Sequence, residues 1–182
     1  HYMGNPEKSK GLFTAAKDSL TKKERAELKR QFALAEKNGS LMWQTVVSFD
    51  NRFLADHGLY DLKTKQLDQD KLQEAIRHAM SGLLINEGLS NSAIWSASIH
   101  LNTDNIHVHI AFVEPEPTRG KITIHDKDGV AQEAENGMVK RSTIASFKSS
   151  IANELVNRDQ SLARLSSLIR NELPQHDYDW SK

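Results

Sequence analysis

Three histidines carry the clearest chemistry in this sequence: His100, His107 and His109, spaced i, i+7 and i+9 within the stretch Trp95–Val113. Side chains alternate between the two faces of a strand. Ile106, Val108, Ile110 and Phe112 therefore share one face, and His107, His109 and Ala111 the other. In the preceding run, Trp95, Ala97, Ile99 and Leu101 oppose Ser96, Ser98 and His100. Three neutral imidazoles gathered on one face supply facial coordination to a divalent ion and leave positions open for water or a substrate oxygen. All-nitrogen ligation favours Mn, Co, Zn or Ni over Mg on softness grounds. An exposed polar histidine usually does nothing of the kind, but three at this spacing point to a metal.

Register decides whether the rings meet. A two-residue turn at Thr103-Asp104 pairs His100 with His107, and one at Asp104-Asn105 pairs His100 with His109. Either places all three on one face, about 5 Å apart across the strands. A three-residue loop without a bulge would turn His100 to the opposite face.

The elements that must hold this face follow from local signals. Thr21-Lys22-Lys23-Glu24 reads as a capping box opening a helix that runs to about Lys37 and leaves at Asn38-Gly39. Ser40 to Asp50 is rich in β-branched and aromatic residues and reads as a strand. A helix fits Asp68 to Asn86, with Leu72, Ile76, Ala79 and Leu83 at helical spacing. Strands Ala93–Leu101 and Ile106–Val113 follow, and Pro115 and Pro117 close the second. Lys121–His125 and a turn at Asp128-Gly129 suggest a surface hairpin. Ser142 is placed as the cap of a third helix, and Ser161 to Glu172 as a fourth, ended by Pro174. This order predicts an α+β domain: an antiparallel sheet with helices on one face and the histidines on an open one.

The 182 residues suit a single domain, placed over 1–182. There is no cysteine, hence no disulfide and no thiolate ligand, and any transition-metal site falls to histidine and carboxylate. No apolar run approaches the roughly 18 residues of a membrane helix, and no signal peptide is evident, so a cytoplasmic protein is expected. The net charge of zero conceals segments of opposite sign. Residues 1–40 carry +4, 41–118 carry −5, 119–148 carry +2 and 149–182 carry −1. Neutrality overall thus leaves locally positive surfaces free to meet nucleic acid.

His107-Val108-His109, with His100 seven residues upstream, resembles the metal-binding motif of HUH endonucleases. The wider words are Tyr-Met-Gly-Asn-Pro-Glu-Lys at 2–8, Ser-Leu-Met-Trp-Gln-Thr-Val-Val-Ser-Phe-Asp at 40–50 and His-Leu-Asn-Thr-Asp-Asn-Ile-His-Val-His at 100–109. Together with Val-Glu-Pro-Glu-Pro-Thr-Arg at 113–119, they are similar to the MobL-type plasmid mobilization relaxases, over at least residues 2–150. The resemblance implies a metal-dependent transesterase that nicks one strand at a plasmid transfer origin, through a covalent 5′-phosphotyrosine, in the bacterial cytoplasm. It makes His100, His107 and His109 the ligands of one divalent ion, Mn ahead of Zn, Co or Ni. Asp104, in the acidic turn, and Asp50, at a strand end, become candidates for orienting a ligand or the nucleophile. The implied partners are origin DNA, single-stranded at the nick, and transfer-apparatus proteins. Lys8, Lys10, Arg119, Lys121, Lys140 and Arg141 are the candidate phosphate contacts, and Trp43 a candidate for stacking an unpaired base.

The chain departs from the family pattern at its nucleophile. Its tyrosines are Tyr2, Tyr60 and Tyr178, of which Tyr2 fits best. The expectation is that an amino-terminal strand and the nucleophile motif precede His1. Two rivals predict different chemistry: a non-catalytic DNA-binding module with a structural metal, and a metallo-hydrolase of small phosphoesters.

Overall fold

A computed structural model describes residues 11–101 and 104–172, with side chains described as far as Val156. The elements are β1 (Leu12–Phe13), α1 (Lys22–Lys37), β2 (Met42–Ser48), α2 (Asn51–Asp56), α3 (Gln69–Asn86), β3 (Ile94–His100), β4 (His107–Val113), β5 (Lys121–His125), β6 (Ala131–Glu135) and α4 (Arg141–Glu172). Four of the strands form one antiparallel sheet in the order β1-β3-β4-β2, and β5 and β6 form a separate ribbon. The α+β class read from the sequence is what the chain adopts.

Local chemistry starts and stops α1 and α3 where the sequence says it should. The Thr21 hydroxyl accepts from the Glu24 N–H, and the Glu24 carboxylate accepts from the Thr21 N–H, so two first-turn donors are satisfied reciprocally. Asn38 closes α1 and Gly39 takes a φ of 76°, where a Cβ would be strained. Asp68 caps α3 by accepting from the Lys71 N–H. The inner face of α3 buries Leu72, Ala75, Ile76, Ala79, Met80 and Leu83, the i, i+3, i+4 pattern of a helix lying on a core. It packs along α4, which contributes Phe147, Ile151 and Leu155.

The sheet's opposing contribution comes from Trp95, Ala97 and Ile99 on β3 and from Val108, Ile110 and Phe112 on β4. Each large aliphatic or aromatic side chain buried here stabilises the domain by about 1.5–3 kcal/mol. The same burial holds β3 and β4 in one register, because a one-residue slip of β4 would turn His107 and His109 into the core. On the other face Ser96, Ser98 and Ala111 are buried, the three histidines are half-buried, and Met42 and Val46 on β2 stand exposed. That face is therefore open at the histidines and along β2, and closed farther along β3.

Several elements differ from the sequence reading. The two carboxy-terminal helices expected from Ser142 and Ser161 are one helix, Arg141–Glu172. Asn157-Arg158-Asp159-Gln160 is polar but holds no Gly or Pro, so nothing breaks the turn there, and Ser142 lies inside the first turn. β1 and α2 were not anticipated. The first is two residues long and exists by pairing Leu12 with Ser98 and Phe13 with Ala97. The second is a six-residue helix set off by Asp50, whose carboxylate accepts from the N–H groups of Arg52 and Phe53. No helix among the described residues is long and apolar enough to cross a membrane.

Candidate metal centre

The β3–β4 register pairs His100 with His107, Ser98 with His109 and Ile99 with Val108. This is the pairing that a Thr103-Asp104 turn would impose; among the described residues the ladder ends at His100 and His107, and Thr103 itself lies outside them. Ile106, just ahead of β4, is anchored on its other side: its carbonyl accepts from the Phe49 N–H at 2.9 Å, and its side chain is buried. That register keeps the apolar faces of β3 and β4 together on the core.

The three imidazoles converge. Ring centroids lie 5.1 Å apart for His100–His107, 4.6 Å for His100–His109 and 4.9 Å for His107–His109, and one nitrogen from each lies within 4.8 Å of the others. Burial, then the neighbouring His109 and His107, pushes the His100 imidazole below its ordinary pKa. Burial and His107 do the same to His109. Both shifts favour the neutral ring, which is the form that binds a metal. Three half-buried, nitrogen-only donors suit a divalent transition ion, and this donor chemistry is the ground for reading a metal site here.

Two polar contacts fix ring orientation. The Ser98 hydroxyl is 3.0 Å from His100 Nε2. His107 Nδ1 lies 3.1 Å from the carbonyl oxygen of Asn105. On the neighbouring edge strand, Ser48 lies opposite His107 and Val46 opposite His109.

The other sequence-predicted residues fall in several places. Tyr2, Lys8, Lys10 and Tyr178 lie outside the described residues. Asp104 is exposed in the connection above the histidines, and its main-chain carbonyl accepts from Asn51. The Asp50 carboxylate caps α2. Tyr60 packs partly buried against the core. Trp43 stacks on Phe112 with centroids 5.0 Å apart and donates its indole N–H to the Gly137 carbonyl, so it serves the fold. Trp95 is buried edge-on to Phe13, on the core face as alternation requires.

The basic residues divide into two kinds. Lys121, 3.7 Å from Glu133, and Arg141 are exposed. Arg119 is turned inward: its guanidinium donates to the Glu87 carboxylate at 2.6 Å and to the Met138 carbonyl, and it lies over the Trp43 ring. Glu87 also accepts from the Lys140 N–H, while the Lys140 ammonium donates to the Asn86 carbonyl. Burial works against ionisation of Glu87, yet hydrogen bonds from Thr143, Arg119 and the Lys140 N–H outweigh it and hold the carboxyl below its ordinary range. The β5–β6 ribbon is itself acidic, with two lysines against four carboxylates over 120–136.

Sequence reasoning missed Asn51, Ser98 and Glu87. Ser98 was legible as a neighbour of His100 on the same face. Asn51 and Glu87 act on residues more than thirty positions away, and no local pattern marks such contacts.

No curated protein and no solved structure matches this chain. A family model described as MobL relaxases does match, over residues 1–182. With the histidine face assembled and the whole length matched, the chain belongs to the MobL relaxases, a family of DNA-nicking enzymes that act in plasmid mobilization.

Proposed function

We propose that this domain nicks one strand of a plasmid transfer origin by a metal-dependent transesterification, in the bacterial cytoplasm and together with transfer-apparatus proteins. The convergence of three imidazoles on the half-open end of a sheet, in a chain of this family, supports the reading above all else. His100, His107 and His109 are the ligands, and Mn is the first choice of ion. An ion held there offsets charge growing on the phosphoryl oxygens as the phosphate is attacked.

The nucleophile is Tyr2 or a tyrosine ahead of it. It gives up its phenolic proton, its oxygen attacks the scissile phosphorus, the bond to the 3′ oxygen breaks, and the departing 3′ oxygen takes up a proton to become the free hydroxyl. The DNA then remains joined to the protein through a 5′ phosphotyrosine. β1 supports this placement. Because Leu12 pairs with Ser98 and Phe13 with Ala97, the amino-terminal end of β1 is the end directed toward His100. On this reading Asp104 and Asp50 orient the site through the main chain and the cap of α2. Lys121, Arg141, Lys8 and Lys10 contact phosphates.

The test uses the chain, and a form extended ahead of His1, with supercoiled and single-stranded origin DNA and Mn²⁺. A covalent DNA adduct that is lost on Tyr2→Phe, or that appears only with the extension, is the expected result. No adduct from either form sinks the nicking reading and leaves a binding module. Replacing His107 and His109 by Ala should abolish Mn²⁺ binding by titration calorimetry; stoichiometric metal in that variant refutes the site.

A further inference from the structure

We infer that Asn51 is a positioning residue for the metal centre, setting the orientation and tautomer of His107 through the main chain of residues 104–106. The inference rests on the three histidines holding the ion.

Asn51 is the first residue of α2 and is half-buried. Its side-chain amide makes two hydrogen bonds to the connection between β3 and β4. The Nδ2 group donates to the Asp104 carbonyl at 2.8 Å, and Oδ1 accepts from the Ile106 N–H at 3.0 Å. One amide group thus uses its donor and its acceptor on two main-chain groups that flank Asn105. The Ile106 carbonyl is held in turn by the Phe49 N–H. Residues 104 to 106 are therefore fixed on the Asn51 side before β4 begins.

What they fix is the Asn105 carbonyl, which faces His107 Nδ1 at 3.1 Å. A carbonyl oxygen only accepts, so Nδ1 carries the proton and Nε2 the lone pair. A histidine ligand is normally held in this way, with its other nitrogen donating to a carbonyl or carboxylate that sets ring plane and tautomer. Here Asn51 holds the main chain on both sides of that carbonyl, at Asp104 and at Ile106. The Asp50 cap supports the arrangement by fixing the first turn of α2, from which Asn51 reaches across.

The experiment compares the full chain with Asn51→Ala, Asn51→Asp and His107→Ala. Long-range nitrogen–proton NMR of the metal-free protein reads the His107 tautomer, and calorimetry with Mn²⁺ reads affinity. Wild-type His107 should be in the Nδ1–H form. Asn51→Ala should mix the tautomers and weaken Mn²⁺ binding about 10- to 100-fold. Asn51→Asp keeps the acceptor for Ile106 but loses the donor to Asp104, and should fall between. A merely structural Asn51 would lower the melting temperature while leaving tautomer and affinity alone, and that outcome overturns the inference. A wild-type His107 in the Nε2–H form overturns it as well, even if no Asn51 variant folds. If His107→Ala itself binds Mn²⁺ normally, the metal reading fails instead, and the two failures are told apart.

Discussion

Glu87 joins parts of the fold that are far apart in sequence, and its replacement has a calculable cost. Its side chain is 2% exposed and that of its partner Arg119 is 15% exposed, so neither charge is screened by water as a surface pair would be. Glu87→Leu would leave the guanidinium facing Trp43 and the Met138 carbonyl with no counter-charge, and would orphan the Lys140 N–H. Removing one partner of a buried pair costs about 3–5 kcal/mol. For a domain of this size that is a fall in melting temperature of roughly 6–20 °C. The double variant Glu87→Leu/Arg119→Met removes both charges and should recover most of the loss, because an apolar pair of similar volume often replaces a buried ion pair at little cost. Acidification should imitate the single variant. The folded carboxyl sits below its ordinary value near 4.5, so its contribution is complete above that pH and disappears as pH falls through the lowered folded value. Urea denaturation followed by far-UV circular dichroism measures all three forms. A single-variant cost under about 1 kcal/mol, or a double variant no better than the single, would refute the buried-anchor argument.

The remaining predictions concern the sheet and its open end. His100 and His109 have lowered pKa values, so between those values and the ordinary 6.5 the unfolded chain binds protons that the folded one does not. Metal-free protein should therefore lose stability as pH falls below 6.5 and gain nothing from these groups above it; a melting profile unchanged by replacing both histidines with Ala would contradict this. Lys121→Ala and Arg141→Ala should each weaken DNA binding across sequences and lower the salt slope by about 1, in fluorescence anisotropy at several salt concentrations. Arg119→Ala should leave that slope unchanged and act on stability, since its guanidinium is engaged within the fold. Ile99→Ala, behind the histidine face and 1% exposed, should cost about 2–5 kcal/mol in urea denaturation and leave the helix caps intact.

The site was legible because its determinants are local. Strand alternation alone sorted His100, His107 and His109 onto one face, and the capping box at Thr21 and Glu24 and the Asn38-Gly39 exit were readable as short words. β1 and α2 escaped because two and six residues are too few to show a period, and both exist through what they touch: β3 for one, the Asp50 cap for the other. The break expected in α4 came from a polar gap in the apolar pattern of the sequence, and such a gap does not interrupt the backbone. Arg119 looked like a phosphate contact because charge is visible in sequence and its partner, Glu87, is not; the two are 32 positions apart.

Residues 119 and 138 meet across the base of the β5–β6 ribbon, and the Asn136 N–H donates to the Gly120 carbonyl there. The segment between them leaves the body of the protein and returns to nearly the same point. Its closure entropy is already met at the base, and doubling such a segment adds only about 0.6 kcal/mol. The ribbon is thus an exchangeable cassette. It can be shortened to a turn, lengthened, or replaced by a sequence of different charge with little effect on the histidine face. Diversification of this surface can proceed there while the histidine face stays as it is.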